Sequence, residues 1–374
     1  MKTKIVYIVN DIDFFKNHFL PIALFATKAF DVSIISDKKD NQIKEKHPEI
    51  KQYIVPINRT SINPISDLRL FIELVKLLKK LEPDIIHNIT IKPILYGSLA
   101  VKLINRNIKI INSVTGLGYA ITNNHFFIKS VMQFLIRFFV SNKSHFLFLN
   151  KHDKKFYQSL GKALENNFTM ISGSGVDEGD FQYKKPLKKD KIEITYTGRI
   201  LRDKGVINLI DAVNYLDAGL KEKIILKLYG PLDIKNPAHI KKSELENFLI
   251  PDLIEWQGFT NQVKMVLEQS DIYCLPSFRE GIPKSIIEAM AIGRPILTTK
   301  APGCEDTVME GQNGFKVDID NYISLSAKLK ILIEDESLRL EMGKKSRILF
   351  EENYTLKKVI NQISEIYLRI SPNN

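Results

Sequence analysis

Residues 276 to 291 read P-S-F-R-E-G-I-P-K-S-I-I-E-A-M-A, directly after the short apolar run D-I-Y-C-L at 271 to 275. A run of that length and character suits a buried parallel strand. Gly281 allows a sharp turn after it. Pro283 is fit to open a helix, because the amide it lacks has no partner at that position. Past Ile282 and Pro283, the amides of Lys284, Ser285 and Ile286 are expected to point out of the helix start, where a diphosphate is favoured. Seven residues separate the carboxylates Glu280 and Glu288. Glu280 falls in the turn and Glu288 more than one turn inside the helix, so they cannot share one site as a paired-carboxylate dyad does. One can face a sugar ring while the other receives two vicinal hydroxyls of a ribose. Taken alone, the two acids read better as solvated charges on an exposed helix, and it is their surroundings that reverse this reading.

A second stretch, T-Y-T-G-R-I-L-R-D-K-G-V at 195 to 206, carries the complementary charges. Ile192, Ile194 and Tyr196 alternate as a strand does, Gly198 interrupts it, and Val206, Leu209, Ile210 and Val213 continue with helical spacing. Arg199 and Lys204 are thereby placed in a strand-to-helix loop, where parallel α/β domains hold ligands. A planar guanidinium and a compact ammonium suit a diphosphate leaving group, the first by bidentate contact and the second as a point charge.

In these two stretches the chain resembles the retaining glycosyltransferases of family 4, whose fold is called GT-B. The resemblance implies that Glu280 lies by a donor sugar and Glu288 binds the ribose of its nucleotide. It also implies that Gly198, Arg199, Lys204 and Gly205 form the element holding the donor phosphates. The donor-binding set expected on this basis is Gly198, Arg199, Lys204, Glu280, Gly281, Ile282, Pro283, Lys284, Ser285 and Glu288, with Glu280, Arg199 and Lys204 catalytic. Gly230, Pro231 and Phe259 fall near the base pocket by the same analogy.

With 374 residues the chain is too long for one ordinary core. Strands alternate with helices throughout, which predicts an α/β protein of two Rossmann-like domains with covered parallel sheets. The expected strands are 5–9, 32–36, 53–56, 85–87, 108–111, 146–149 and 169–171, then 192–196, 224–229, 254–256, 272–275, 295–298 and 315–317. The charged run Y-K-K-P-L-K-K-D-K at 183–191 reads as a linker. It divides an acceptor-binding domain, 1–182, from a nucleotide-sugar-binding domain, 192–354. A helix and tail at 355–374 would, by the resemblance, cross back onto the first domain.

Residues 1 to 182 hold 25 Lys and Arg against 16 Asp and Glu, whereas the remainder is nearly balanced at 29 against 27. A basic first half fits an anionic surface or acceptor, or a lysine-rich composition without further meaning. In F-F-I-K-S-V-M-Q-F-L-I-R-F-F-V, 126–140, the polar residues Lys129, Gln133 and Arg137 recur every fourth position on an otherwise apolar helix. Two cations in so short a run argue against spanning. Such a helix either buries its wide face in the core or lies in a bilayer interface, with Lys129, Arg137 and Lys143 toward anionic headgroups. A membrane contact through 126–143 is expected on the second reading. The N-terminus reads as a first strand rather than a signal peptide. Cys274 and Cys304 have neither metal nor redox spacing. Together these features predict a cytoplasmic protein, peripheral on the inner face of the cytoplasmic membrane.

N-S-V-T-G-L-G-Y, 112–119, follows the strand expected at 108–111, and its glycines permit close backbone approach to a ligand. This segment is similar to a family branch that adds a second sugar to one carried on a polyprenyl diphosphate in bacterial glycan assembly. His18 with Pro21, Lys92 with Pro93, and Gly173 to Asp177 match further elements of that branch. The acceptor-side candidates are His18, Lys92, Thr115, Gly116 and Gly118. The chain departs from the family in lacking a glycine-rich loop after the first strand, where N-D-I-D-F-F stands, and in carrying Phe19 where arginine is frequent. Asp11-Ile12-Asp13 has the form of a metal-binding D-x-D, but the two cations already supply the charge a metal would bring. His18, His87 and His125 are too scattered to be read as metal ligands.

The expected reaction is retaining, metal-independent transfer of a hexosyl group, an N-acetylhexosamine by the resemblance, from a UDP-sugar to a polyprenyl-diphosphate-linked sugar. No cofactor and no nucleic acid partner is expected. The family implies that the leaving phosphate oxygen takes the acceptor proton. A UDP-sugar epimerase on the same plan, or a basic nucleic-acid-binding protein, remains an alternative at this point.

Overall fold

The computed structural model describes residues 2–57, 63–104, 107–116, 130, 134–138, 144–159 and 167–371. The chain divides into two compact units, one of residues 1–174 with 359–374 and one of residues 175–358. Each is built on a parallel sheet.

The first unit has seven strands: β1 (Lys4–Val9), β2 (Asp31–Ser36), β3 (Lys51–Ile54), β4 (Ile85–Ile89), β5 (Lys109–Val114), β6 (His145–Phe148) and β7 (Phe168–Met170). Their order is β3-β2-β1-β4-β5-β6-β7, and every pairing is parallel. Helices cover both faces, so the strands carry nearly unbroken apolar runs. One face sets Val6, Ile8, Ile86 and Ile110 against Leu70, Leu74 and Leu78 of helix Pro64–Leu81. The other sets Ile5, Tyr7 and Ile111 against Val359, Ile363, Ile366 and Tyr367 of helix Leu356–Ile370. That last helix is clamped by polar atoms inside the core. The hydroxyls of Tyr7 and Tyr367 lie 2.9 Å apart, Tyr367 Oη is 2.6 Å from His87 Nδ1, and His87 Nε2 is 2.6 Å from Ser113 Oγ. Complete burial pushes the His87 imidazole down to about 3, so it is neutral in this chain of hydrogen bonds.

The second unit has six strands: β8 (Ile192–Thr197), β9 (Ile224–Tyr229), β10 (Ile254–Gly258), β11 (Ile272–Leu275), β12 (Ile296–Thr299) and β13 (Gly314–Val317). They run in the order β10-β9-β8-β11-β12-β13, again all parallel. The order reverses between β8 and β11. A crevice forms at the carboxyl ends of strands where connections diverge in this way, and ligands of open α/β sheets bind there.

Several expectations need correction. The units part after Ser174, not at 183–191. The charged run lies along the second unit because its backbone and side chains are engaged there: the Lys184 amide donates to Ile292 O at 3.0 Å, and Lys189 Nζ is 3.1 Å from Asp271. The third strand is Lys51–Ile54 instead of 53–56, in register with Ser33–Ser36. Pro56 has no amide to give to the ladder. The fourth and fifth strands run on to Ile89 and Val114, through the buried polar residues Asn88, Asn112 and Ser113.

Among the described residues no helix is long and apolar enough to cross a membrane. Most of 126–143, including Lys129, Gln133 and Lys143, lies outside the described residues. Within it residues 134–138 are helical, with Ile136 buried and Phe134, Arg137 and Phe138 exposed.

Candidate functional site

The loops after β8 and β11 flank the switch point of the second unit, and close backbone contacts fix them together. The Phe278 amide donates to Asp203 O at 2.9 Å, and Ser277 Oγ to the same oxygen at 3.2 Å. Gly205, at φ +70°, ends the turn Arg202–Lys204 and begins helix Val206–Asn214. A Cβ there would stand 2.0 Å from Pro276 O, so the two loops approach this closely only because residue 205 is glycine. The loop after β12 joins them where the Glu280 amide donates to Pro302 O at 2.9 Å.

This clamping brings the charged side chains of the two stretches together. Lys204 Nζ is ion-paired with Glu280 Oε1, and both side chains are largely sequestered from water. Arg199 Nη1 is 2.8 Å from Asp233 Oδ2, an acid supplied by the loop after β9. The Tyr196 hydroxyl donates to Arg199 O at 2.6 Å and steadies the backbone beneath the guanidinium. Asp203 lies among these groups. Burial raises its carboxyl above the usual range, Lys204 and Arg199 pull it down, and Glu280 pushes it up. Arg199, Lys204 and Glu280 therefore share one electrostatic neighbourhood.

Helix Lys284–Ile292 starts beside them. Pro283 stands one residue earlier than expected, as the N-cap, with extended backbone at φ −72° and ψ 113°. The Ile286 and Ile287 amides donate to Pro283 O at 3.1 and 3.3 Å, so Ile286 does not point outward as the sequence suggested. The amides of Lys284 and Ser285 have no helical carbonyl ahead of them to reach. The Ser285 hydroxyl bonds to Tyr273, whose own hydroxyl is 3.0 Å from Thr197 Oγ1. Glu288, one turn further in, is only 14 % exposed, and burial pushes its carboxyl up to about 7 against the pull of Lys284, 3.9 Å away. Gly281 and Ile282 complete the turn. A Cβ at Gly303 would meet Gly281 O at 2.1 Å, so the turn is closely covered on that side.

Gly198 and Gly230 lie at adjacent strand ends, with Gly198 O only 1.7 Å from where a Gly230 Cβ would stand. Phe259, just past β10, is 73 % exposed. Cys274 and Cys304 are buried thiols, and burial raises both. Among the described residues no three His, Cys, Asp or Glu side chains converge to hold a metal ion. Asp11 caps helix Ile12–His18 by accepting from the Asp13 and Phe14 amides, and Asp13 pairs with Lys38 at 2.7 Å.

The acceptor-side candidates belong to the first unit. His18 Nδ1 is 3.1 Å from Ser174 Oγ, so the serine of G-S-G-V-D meets the first helix, and Phe14 stacks on the His18 ring. Lys92 Nζ is 2.9 Å from Asp67 Oδ1, with both side chains mostly covered. Thr115 and Gly116 follow β5, and Gly116 at φ +132° has open space where a Cβ would project. Gly118 lies outside the described residues, as does His125.

Sequence reasoning passed over Asp233 and Asp203. Asp233 was visible as an acid just beyond the Gly230-Pro231 turn at a strand's carboxyl end. Asp203 sits inside the quoted basic stretch and was masked by its cations.

Residues 177–348 match the family described as glycosyl transferases group 1, and residues 4–150 match the glycosyl transferase 4-like family. The chain is a glycosyltransferase. It is 27 % identical over 361 residues, 92 % of each chain, to the N,N'-diacetylbacillosaminyl-diphospho-undecaprenol alpha-1,3-N-acetylgalactosaminyltransferase of Campylobacter jejuni. It is 23 % identical to the UDP-Gal:alpha-D-GlcNAc-diphosphoundecaprenol alpha-1,3-galactosyltransferase of Escherichia coli, covering 92 % of this chain and 90 % of that one. Among solved structures, Anabaena HepE in complex with UDP and glucose superposes with a TM-score of 0.78 at 17 % identity, over 97 % of this glycosyltransferase and 99 % of HepE. That likeness extends to the fold.

Proposed function

We propose that this glycosyltransferase moves an N-acetylhexosamine from a UDP-sugar to a polyprenyl-diphosphate-linked sugar, with retention and without a metal ion, in the assembly of a cell-surface glycan. The observation that carries the reading is the Lys204–Glu280 ion pair at the switch point of the second unit, with the start of helix Lys284–Ile292 beside it. A diphosphate entering there exchanges the carboxylate partners of Lys204 and Arg199 for phosphate oxygens. Glu280 is then released toward the sugar ring. As the glycosidic bond stretches, negative charge grows on the departing diphosphate and the two cations stabilise it more than they stabilise the ground state. Positive charge grows on the ring, where Glu280 is at hand. The leaving phosphate oxygen takes the proton of the attacking hydroxyl on the same face. Glu288 binds the ribose hydroxyls.

The acceptor class is supported by the names of the Campylobacter and Escherichia relatives, both of which act on diphospho-undecaprenol-linked sugars. Such an acceptor places the enzyme at the inner face of the cytoplasmic membrane, with residues 126–143 as one point of contact. The test is to supply a panel of radiolabelled UDP-sugars with and without a short-chain polyprenyl-diphosphate sugar. Label moving to the lipid in the presence of chelator supports the reading. An epimerised sugar formed from donor alone contradicts it.

A further inference from the structure

Helix Pro64–Leu81 of the first unit is apolar on two opposite sides. Leu70, Leu74 and Leu78 form its inner stripe, at helical spacing, and are buried in the core. Ile65, Leu68 and Ile72 form a second stripe on the outer side, again three and four residues apart, and are 80, 59 and 44 % exposed. The fold has no use for this outer stripe, since the inner leucines already fix the helix to the sheet. A single exposed aliphatic residue is ordinary, whereas three in line on one helix mark a contact surface.

Charge on the same helix indicates the partner. Continuing along the outer side, the positions equivalent to the aliphatic ones are Lys76 and Lys79, with Arg69 and Lys80 alongside, all exposed. Glu73 is the acid on that flank, already paired with Arg69 at 3.0 Å. Beyond the helix, residues 85 to 150 contain seven Lys and Arg and no Asp or Glu. Aliphatic side chains of stepped exposure, bordered by lysines whose long stems let the ammonium groups rise to headgroup level, suit an interface of hydrocarbon below and anionic charge above.

We propose that the outer face of helix Pro64–Leu81 docks on an anionic lipid bilayer, with Ile65, Leu68 and Ile72 entering the headgroup boundary and Lys76, Lys79 and Lys80 engaging the acidic headgroups. This surface is built from residues other than 126–143. It deepens the reading given above only in supplying a place for a lipid-borne acceptor, and its test does not depend on sugar transfer.

The full chain is sedimented with vesicles of phosphatidylcholine alone and of phosphatidylcholine with phosphatidylglycerol, at low and high salt. Wild type is expected to bind the anionic vesicles and to lose affinity with salt. Ile65→Ser/Leu68→Ser/Ile72→Ser should weaken binding on the order of a hundredfold at either salt concentration. Lys76→Gln/Lys79→Gln/Lys80→Gln should remove the preference for phosphatidylglycerol and flatten the salt dependence. Circular dichroism melts matching wild type establish that both variants fold. Undiminished vesicle binding by both variants overturns the proposal, as does loss only with Phe134→Ser/Phe138→Ser. A concentration-dependent dimer that the serine variant abolishes also overturns it, by making the face a contact between copies. Failure of every UDP-sugar as donor, with vesicle binding intact, contradicts the proposed reaction and leaves this surface standing.

Discussion

Lys204 and Glu280 are ion-paired across 76 residues of sequence, one from the loop after β8 and the other from the loop after β11. Breaking a largely covered pair by removing one partner leaves the other uncompensated, so each residue sets the conformation of its counterpart. In the proposed reading, donor binding rearranges this pair. A diphosphate that satisfies the ammonium frees the carboxylate at the moment a sugar arrives next to it.

Glu288 gives the site a pH dependence of definite sign. Its carboxyl is held up to about 7 by burial, and in the proposed reading it is the ionised form that accepts both hydroxyls of a ribose. Affinity for a UDP-sugar should therefore be full above pH 7 and fall below it, at most about tenfold per pH unit. A UDP-sugar is the right probe, since its diphosphate has no proton to gain in that range. Calorimetric titrations between pH 6 and 8.5 are expected to show this slope in wild type and a weak, flat response in Glu288→Gln.

The backbone approach at Gly205 predicts a large effect from one methyl group. Gly205→Ala combines φ +70° with a contact of 2.0 Å to Pro276 O, and should cost more than about 2 kcal/mol while also disabling the site. Gly219→Ala, in helix Ala218–Lys221 with open space around the new Cβ, should instead be neutral or stabilise by about 0.5 kcal/mol. Urea denaturation of the two variants distinguishes a strained close approach from a generic loss of glycine.

His87 makes the clamp on helix Leu356–Ile370 sensitive to acid. Its imidazole titrates at about 3 in the folded chain against an ordinary 6.5, so the folded state resists a proton that the unfolded state accepts. The stability this confers is complete above pH 6.5 and is lost below it, at about 1.4 kcal/mol per pH unit until the folded value is reached. Denaturation of wild type and His87→Gln at pH 7.5 and 5 should show a steeper loss in wild type.

The parallel strands were legible because both sheets are covered on two faces, so each strand is an apolar run bounded by turn residues. The ends of β4 and β5 were less so, since Asn88, Asn112 and Ser113 are polar yet lie in strands and are buried, sustained by bonds such as Asn88 Nδ2 to Asn112 Oδ1 at 2.9 Å. The boundary between units was misplaced for a related reason. A charged run with a proline looks like a tether, but Arg347 donates to Phe181 O at 2.6 Å and Lys189 pairs with Asp271, contacts that no local pattern foretells. In the site, the two stretches and their order were readable from glycines, cations and acids. The remaining acids were not, because Asp233, the partner of Arg199, and Asp203, which lies among the charged groups, gain meaning only when β8, β9 and β11 lie side by side.

The division of labour between the two glutamates is tested most directly by measuring UDP affinity and single-turnover transfer together in Glu280→Ala and Glu288→Ala. Glu280→Ala should lower transfer about a hundredfold or more while UDP affinity stays within about threefold of wild type. Glu288→Ala should chiefly weaken UDP. Equal loss of UDP affinity in both variants, or unimpaired transfer by Glu280→Ala, would contradict the assignment of ring and ribose to these two acids.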